Sequence, residues 1–216
     1  MMKQTQPFAP NAGMSGMSEL HLDWCSHKAA KYAVKNWHYS GTVPFGKTIK
    51  VGVWEHGDFI GAIIYARGAT QNIGSPFGLE QTGVCELQRV ALDDHDAPVS
   101  QMLSISRKLL QERSPGTRCI VSYADTNQGH TGGIYRADNW YYIGQTGGKR
   151  FLNIDGEKVH TRTAAKNYGT HSVSKLKKLL GTNNINYMEG KPKFKYAYPL
   201  DDEIEAKVKD MAKPYP

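Results

Sequence analysis

Long apolar runs are missing from this chain. No stretch reaches the roughly 18 consecutive apolar residues of a membrane-spanning helix, so no span is expected. The residues through Met17 lack the basic start and apolar core of a secretory signal, which points to a soluble, intracellular, cytoplasmic protein. Cysteine is scarce: Cys25, Cys85 and Cys119 are far apart, with no paired spacing for zinc and an odd number for disulfides. They read as small buried residues in a reducing compartment. Internal repeats and low-complexity tracts are absent as well. What is there is a chain of 216 residues, 39% apolar, long enough for one cored domain and an appendage.

Acid is what the C-terminal third lacks. From Lys158 to Lys195 nine lysines and arginines face the single acid Glu189, a local excess of +8 against +7 for the whole chain. Tyr168, Tyr187, Phe194, Tyr196 and Tyr198 run through and beyond this segment, offering flat rings beside cations that neutralise phosphates. Lys175, Lys177 and Lys178 share one predicted helix, 172–180, and are the candidate phosphate contacts. The competing reading is a solvated basic face with its aromatics turned inward.

The apolar spacing predicts an α/β (α+β) order. A helix capped by Ser26 carries the stripe Ala29, Ala30, Ala33, Val34 and Trp37, and a hairpin follows with strands 49–55 and 59–65 around His56-Gly57-Asp58. A glycine-containing loop from Arg67 to Gly83 leads to a strand over 84–92, a helix over 98–113, a strand over 119–124, a short helix over 128–137 and a strand over 140–143. Composition shifts after Gly144, where a hairpin, a basic helix and an aromatic strand over 193–198 are expected. The predicted organisation is a leader, 1–19, a catalytic domain, 20–146, and a basic extension, 147–216.

The stretch from Ser122 to Gly144 holds most of the reactive side chains. Asp125 ends a strand, where an open α/β sheet exposes its functional groups; the alternative is a cap for the following turn. Gly132 and Gly133 in tandem disfavour a helix unless backbone must approach a ligand or the sheet. Glu86 and Arg89 stand three apart on one strand, so the two-residue period puts them on opposite faces. Ser100 sits at the start of a helix, as a ligand hydroxyl or a capping group. The loop around Asn72 is long enough to touch a ligand or close over a site.

The order of elements resembles the Gcn5-related acyltransferase superfamily, with Gln128, Thr131, Tyr135 and Asn139-Trp140 at the spacing of one of its local patterns. A narrower set of blocks is Trp37-His38-Tyr39-Ser40, Arg67-Gly68-Ala69, Asn72 to Leu79, Cys85 to Leu92, Pro98-Val99-Ser100 and Ser122-Tyr123-Ala124-Asp125. These are similar to the blocks of the phage Mu Mom family and span residues 37 to about 144. That resemblance implies conversion of adenine in double-stranded DNA to its carbamoylmethyl derivative, in the cytoplasm of a bacterial host, protecting the DNA from restriction. The candidate catalytic residues are Asp125, Tyr135, His38, Tyr39 and Glu86, with Tyr135 and Glu86 where acyltransferases of this superfamily carry such groups. The candidate donor contacts are Arg89, Ser100, Ser122 and Gly133, Arg89 matching the family blocks. Asn72 is the candidate DNA contact, and the resemblance implies iron, for which His38, Tyr39 and Asp125 are the candidate ligands.

In one place the chain departs from ordinary acyltransferases. Where those carry a glycine-rich pyrophosphate turn, it reads Asp93-Asp94-His95-Asp96-Ala97-Pro98-Val99, which argues against coenzyme A. Rival readings are a general N-acyltransferase on a protein or small-molecule amine and a non-catalytic DNA-binding protein. The donor and the oligomeric state are left open, a homodimer being one reading.

Overall fold

The structure, a computed structural model, describes residues 20–68, 70–148 and 150–216. The expected leader, residues 1–19, lies outside them. Two compact units are formed: one from residues up to 123 with 132–143 and 195–216, the other from 124–131 and 144–194. The predicted boundary near 146 therefore marks only where the chain leaves the first unit. It comes back, and residues 195–216 are not part of an extension. Basic and aromatic residues continue unbroken across this return, so composition gives no sign of it.

The first unit is built on a seven-stranded sheet in the order β1-β2-β3-β4-β5-β10-β6. Its strands are β1 (Leu20–Trp24), β2 (Thr48–Glu55), β3 (Asp58–Ala66), β4 (Val84–Leu92), β5 (Cys119–Asp125), β6 (Tyr141–Gln145) and β10 (Lys193–Pro199). The hairpin β2–β3 forms as predicted, because His56 and Gly57 take positive φ of 51° and 87°, the backbone a tight two-residue turn requires. Helix α1 (His27–Trp37) starts where the Ser26 hydroxyl accepts the Ala29 N–H at 3.1 Å. It buries Ala29, Ala30, Ala33 and Val34 against Trp54, Phe59, Ala62, Ile64 and Ala91, and so defines one face of the sheet. Helix α2 (Val99–Arg113) covers the other, with Ser106 bonded to the buried Tyr65 hydroxyl at 2.6 Å.

Between β5 and β6 the predicted helix 128–137 is shorter. A 3₁₀ turn over Thr126–Gln128 stops at Gly129 (φ 73°), and α3 (Gly133–Ala137) begins only after Gly132 (φ 93°). A Cβ on Gly132 would lie 2.4 Å from the Tyr196 ring, so this glycine is required by packing. The loop expected around Asn72 is likewise structural in part. It folds as a 3₁₀ segment, Gln71–Phe77, whose Ile73 and Phe77 join Val84, Cys119, Val121 and the buried Ile204 and Val208 of the last helix, α6 (Asp202–Met211). A Cβ on Gly74 would overlap the Leu79 carbonyl at 2.3 Å.

The second unit contains a three-stranded antiparallel sheet in the order β8-β7-β9, from β7 (Arg150–Ile154), β8 (Glu157–His160) and β9 (Ile185–Glu189). Helices α4 (Thr161–Tyr168) and α5 (Val173–Leu180) pack on one face, closing a core of Leu152, Ile154, Ala164, Leu176 and Ile185. Ten lysines and arginines against four acids give this unit an excess of six positive charges out of the chain's seven. Among the described residues no helix is long and apolar enough to cross a membrane. All three cysteines are free; Cys119 is buried as expected, whereas Cys25 and Cys85 are only half-buried, and burial pushes the Cys25 and Cys119 thiols up to about 12.

Candidate active site

Strands β4 and β5 run parallel, paired from Val84 and Cys119 to Leu87 and Ser122 and no further, although both continue. The chemically capable groups of the first unit collect at this opening. Ser122 Oγ donates to the Leu87 carbonyl at 2.7 Å and lies 2.7 Å from the Tyr135 hydroxyl. With the serine proton on Leu87, the phenol is the donor to Ser122. Tyr135 is buried against Trp140 and Tyr196, with ring centroids 5.1 and 4.9 Å away. Burial pushes its hydroxyl up to about 12; the Ser122 bond opposes this, while Tyr39, Tyr196 and Glu86 add to it. The phenol therefore keeps its proton at neutral pH.

A β-bulge changes what the two-residue period predicts for β4. Leu87 pairs with Tyr65 and Arg89 with Ile64, leaving Gln88 as an extra residue. Glu86 pairs with Ala66, two residues beyond Ile64 on β3, so Glu86 and Arg89 lie on the same face. The expectation that they oppose each other is corrected by that one inserted residue. The shared face is the one packed by α1, as Ile64 belongs to that core. Arg89 donates to the Thr42 and Gln88 carbonyls at 3.3 and 2.7 Å, and among the described residues it has no ion pair. Burial lowers its affinity for a proton, partly offset by Tyr39 and Glu86. It is a partly desolvated guanidinium with donors to spare, suited to a carboxylate or phosphate.

His38 caps α1, and its ring stacks on the half-exposed Tyr39 at 4.4 Å. The Nδ1 atom accepts the Ser40 N–H at 3.1 Å and lies 2.8 Å from the Ser40 hydroxyl, so that lone pair is taken. Tyr39 reaches the electrostatic surroundings of both Arg89 and Tyr135. The structure thus gathers Tyr39, Glu86, Arg89, Ser122 and Tyr135 around one opening.

Asp125 belongs to the second unit. Its carboxylate pairs with Lys193 Nζ at 2.5 Å and accepts from Asn127 N and Nδ2 at 3.1 and 3.0 Å, the capping alternative. Burial raises its pKa, but the Lys193 and Asn127 bonds outweigh this and hold it below the ordinary carboxylate range. The Nδ1 atom of His38 and the Asp125 carboxylate are thus each engaged within their own unit. Lys193 was not singled out from sequence, where it is one cation among many.

The remaining candidates are dispersed. Ser100 lies in the first turn of α2, whose N-cap, Pro98, makes no side-chain cap bond. A Cβ on Gly133 would meet open space, in contrast to Gly132. Asn72 is exposed. On α5, Lys175 and Lys178 are exposed one turn apart, while Lys177 is half-buried beside the buried Leu176. A further residue that sequence did not reveal is Glu55. Its buried carboxylate accepts the Asp96 and Ala97 N–H groups at 2.8 and 2.7 Å, filling with a protein anion the loop that precedes α2. Glu55, His56 and Asp96 each have a ligand atom within reach of a common ion, but Glu55 is already committed to the backbone.

A mixed sheet flanked by helices, whose parallel β4–β5 pair opens beside a phenol, a carboxylate and a guanidinium, defines a mixed α/β protein with its reactive groups at a strand opening. Among solved structures it is similar to a ribosomal-protein-S5-alanine acetyltransferase from Vibrio fischeri, at 9% identity and a TM-score of 0.47 over 87% of this chain and 96% of that one. An aminoglycoside 6'-acetyltransferase type Ii is similar at 10% identity, with a TM-score of 0.46 over 84% of this chain and 98% of that one. The sequence model of the Mom protein family matches residues 19–216, and the chain belongs to that family. It is 29% identical over 165 residues to the methylcarbamoylase mom of Escherichia phage Mu, covering 73% of this chain and 68% of the phage protein.

Proposed function

We propose that this chain transfers a carbamoylmethyl group to the exocyclic amine of adenine in double-stranded DNA, and so shields phage DNA from restriction in a bacterial cytoplasm. The observation that carries this is a family match over nearly the whole chain, joined to a site with a proton acceptor, a proton donor and an anion-binding guanidinium at one opening. An amine in a duplex is paired and stacked, so the adenine must be extruded before it reacts. Tyr39, half exposed and stacked on His38, offers a ring to hold it. Glu86 accepts the amine proton as the new N–C bond forms. Tyr135, which stays protonated, turns its proton from Ser122 to the leaving atom. Arg89 binds an anionic group on the donor. The filled loop at Asp96 and Ala97 favours a donor without a pyrophosphate over coenzyme A.

Mass spectrometry of nucleosides from DNA of cells expressing the chain tests this directly. A modified deoxyadenosine with the added mass of a carbamoylmethyl group is expected; unmodified adenine throughout, with the protein folded and abundant, sinks the proposal.

Duplex contact is assigned to the second unit on charge. Lys175 and Lys178 lie on the same exposed side of α5, while Lys177 is offset toward the core. Replacing Lys175 and Lys178 by alanine is expected to lower the slope of log affinity against log salt by about 2, roughly 0.9 per lost contact. Adding Lys177→Ala changes it little. Sequence preference persists, because phosphate contacts position the protein without reading bases. A salt titration with an unchanged slope in the double variant would show these lysines facing only solvent.

A further inference from the structure

The small sheet has two faces, and α4 and α5 cover one. In the register of β7 with its neighbours, Leu152, Ile154, Val159 and Ile185 turn toward those helices. The alternate positions make the other face: Phe151 and Asn153 on the central strand, His160 and Lys158 beside them on β8, Met188 and Asn186 on β9. Lys158, Asn186 and Met188 are exposed and Phe151, Asn153 and His160 half-buried, so this face is accessible. It contains no carboxylate, since Glu157 and Glu189 fall on the helix-covered side of the register. At its centre the Phe151 ring meets His160 edge-on at 5.3 Å, and the Lys158 ammonium lies 4.4 Å from its centroid.

We infer that this face is a platform for unpaired nucleotides: Phe151 stacks on a base, Lys158 takes the adjoining phosphate, and the Asn153 and Asn186 amides meet base edges. Two observations select this occupant. An aromatic ring on the central strand flanked by a cation suits a base and its phosphate, and every base presents a ring face to stack. The unit carries six of the chain's seven excess positive charges, matching a polyanion. The inference rests on the reading of DNA as substrate, because extruding an adenine leaves unpaired nucleotides around the target.

The test uses the full-length chain, a fluorescent oligothymidylate and a fluorescent duplex. Phe151→Leu is expected to weaken oligothymidylate binding about 5- to 100-fold, with duplex binding held within twofold, and Phe151→Trp to restore it. Lys158→Ala, which leaves the core untouched, is expected to lower the single-strand salt slope by about 0.7. Single-strand affinity within twofold of the parent in both Phe151→Leu and Lys158→Ala overturns the platform, as does a parent chain that binds no single strand. Nucleoside analysis separates this from the transferase reading. Modified adenine without single-strand binding removes the platform alone, and single-strand binding without modified adenine removes the transferase alone.

Discussion

Tyr135→Phe is expected to lower the rate of adenine modification by about 10² to 10⁴ while duplex affinity stays within twofold. The size follows from loss of a positioned proton donor. The specificity follows from the geometry: the phenol is buried at the β4–β5 opening and touches Ser122, while the exposed lysines of α5 belong to the other unit. The fold should tolerate the change. Ser122 still donates to the Leu87 carbonyl, so the cost is one hydrogen bond, about 1 kcal/mol, or roughly 2–4 °C in melting temperature for a chain of this size. Turnover equal to the parent's in single-turnover kinetics would exclude Tyr135 from the mechanism. The pH dependence has a definite sign. The hydroxyl is raised from the usual 10 to about 12, so the stability linked to it is complete below pH 10 and is lost as pH climbs toward 12. Between pH 6 and 9 neither activity nor stability should change on its account.

The largest effect on stability is expected from Asp138→Ala. Asp138 and Arg107 form an ion pair with side chains only 6% and 8% exposed, and the Trp140 indole N–H donates to the same carboxylate at 2.7 Å. Arg107 also lies over the Tyr198 ring at 3.9 Å. Removing the carboxylate strands a buried guanidinium and an indole N–H together, a loss of about 3–5 kcal/mol. Thermal melting should fall by roughly 6–20 °C. Replacing both members by leucine should recover part of the loss, because a buried pair exchanged for apolar packing is often neutral. A single variant melting within 2 °C of the parent would mean the pair is solvated in practice. As Asp138 ends α3, activity should fall with folding here, in contrast to Tyr135→Phe.

Local chemistry made much of the fold legible. Ser26, the His56-Gly57 turn and the stripe of α1 each announce themselves within a few residues, and each formed as read. What sequence concealed depends on distant parts of the chain. One inserted residue, Gln88, decides that Glu86 and Arg89 share a face, and nothing near it in sequence signals a bulge. Glu55 and the Asp96–Ala97 backbone are some forty residues apart, and only the folded sheet makes them partners. Asp125 looked like an exposed strand end until Lys193, which no short-range pattern links to it, was found on its carboxylate. Family membership was legible because whole blocks carry it; the grouping of Tyr39, Glu86, Arg89, Ser122 and Tyr135 required the topology.

Strand β10 is inserted inside the sheet, not added at its edge. β10 lies between β5 and β6, so two strands made earlier on the ribosome remain apart until residues 193–199 have emerged. The same strand supplies Tyr196, whose ring rests on Tyr135 and fills the space kept clear by Gly132. A chain lacking residues 193–199 has every candidate reactive side chain but not the strand that joins β5 to β6. The site is therefore held together by a segment some sixty residues removed in sequence from the groups it supports.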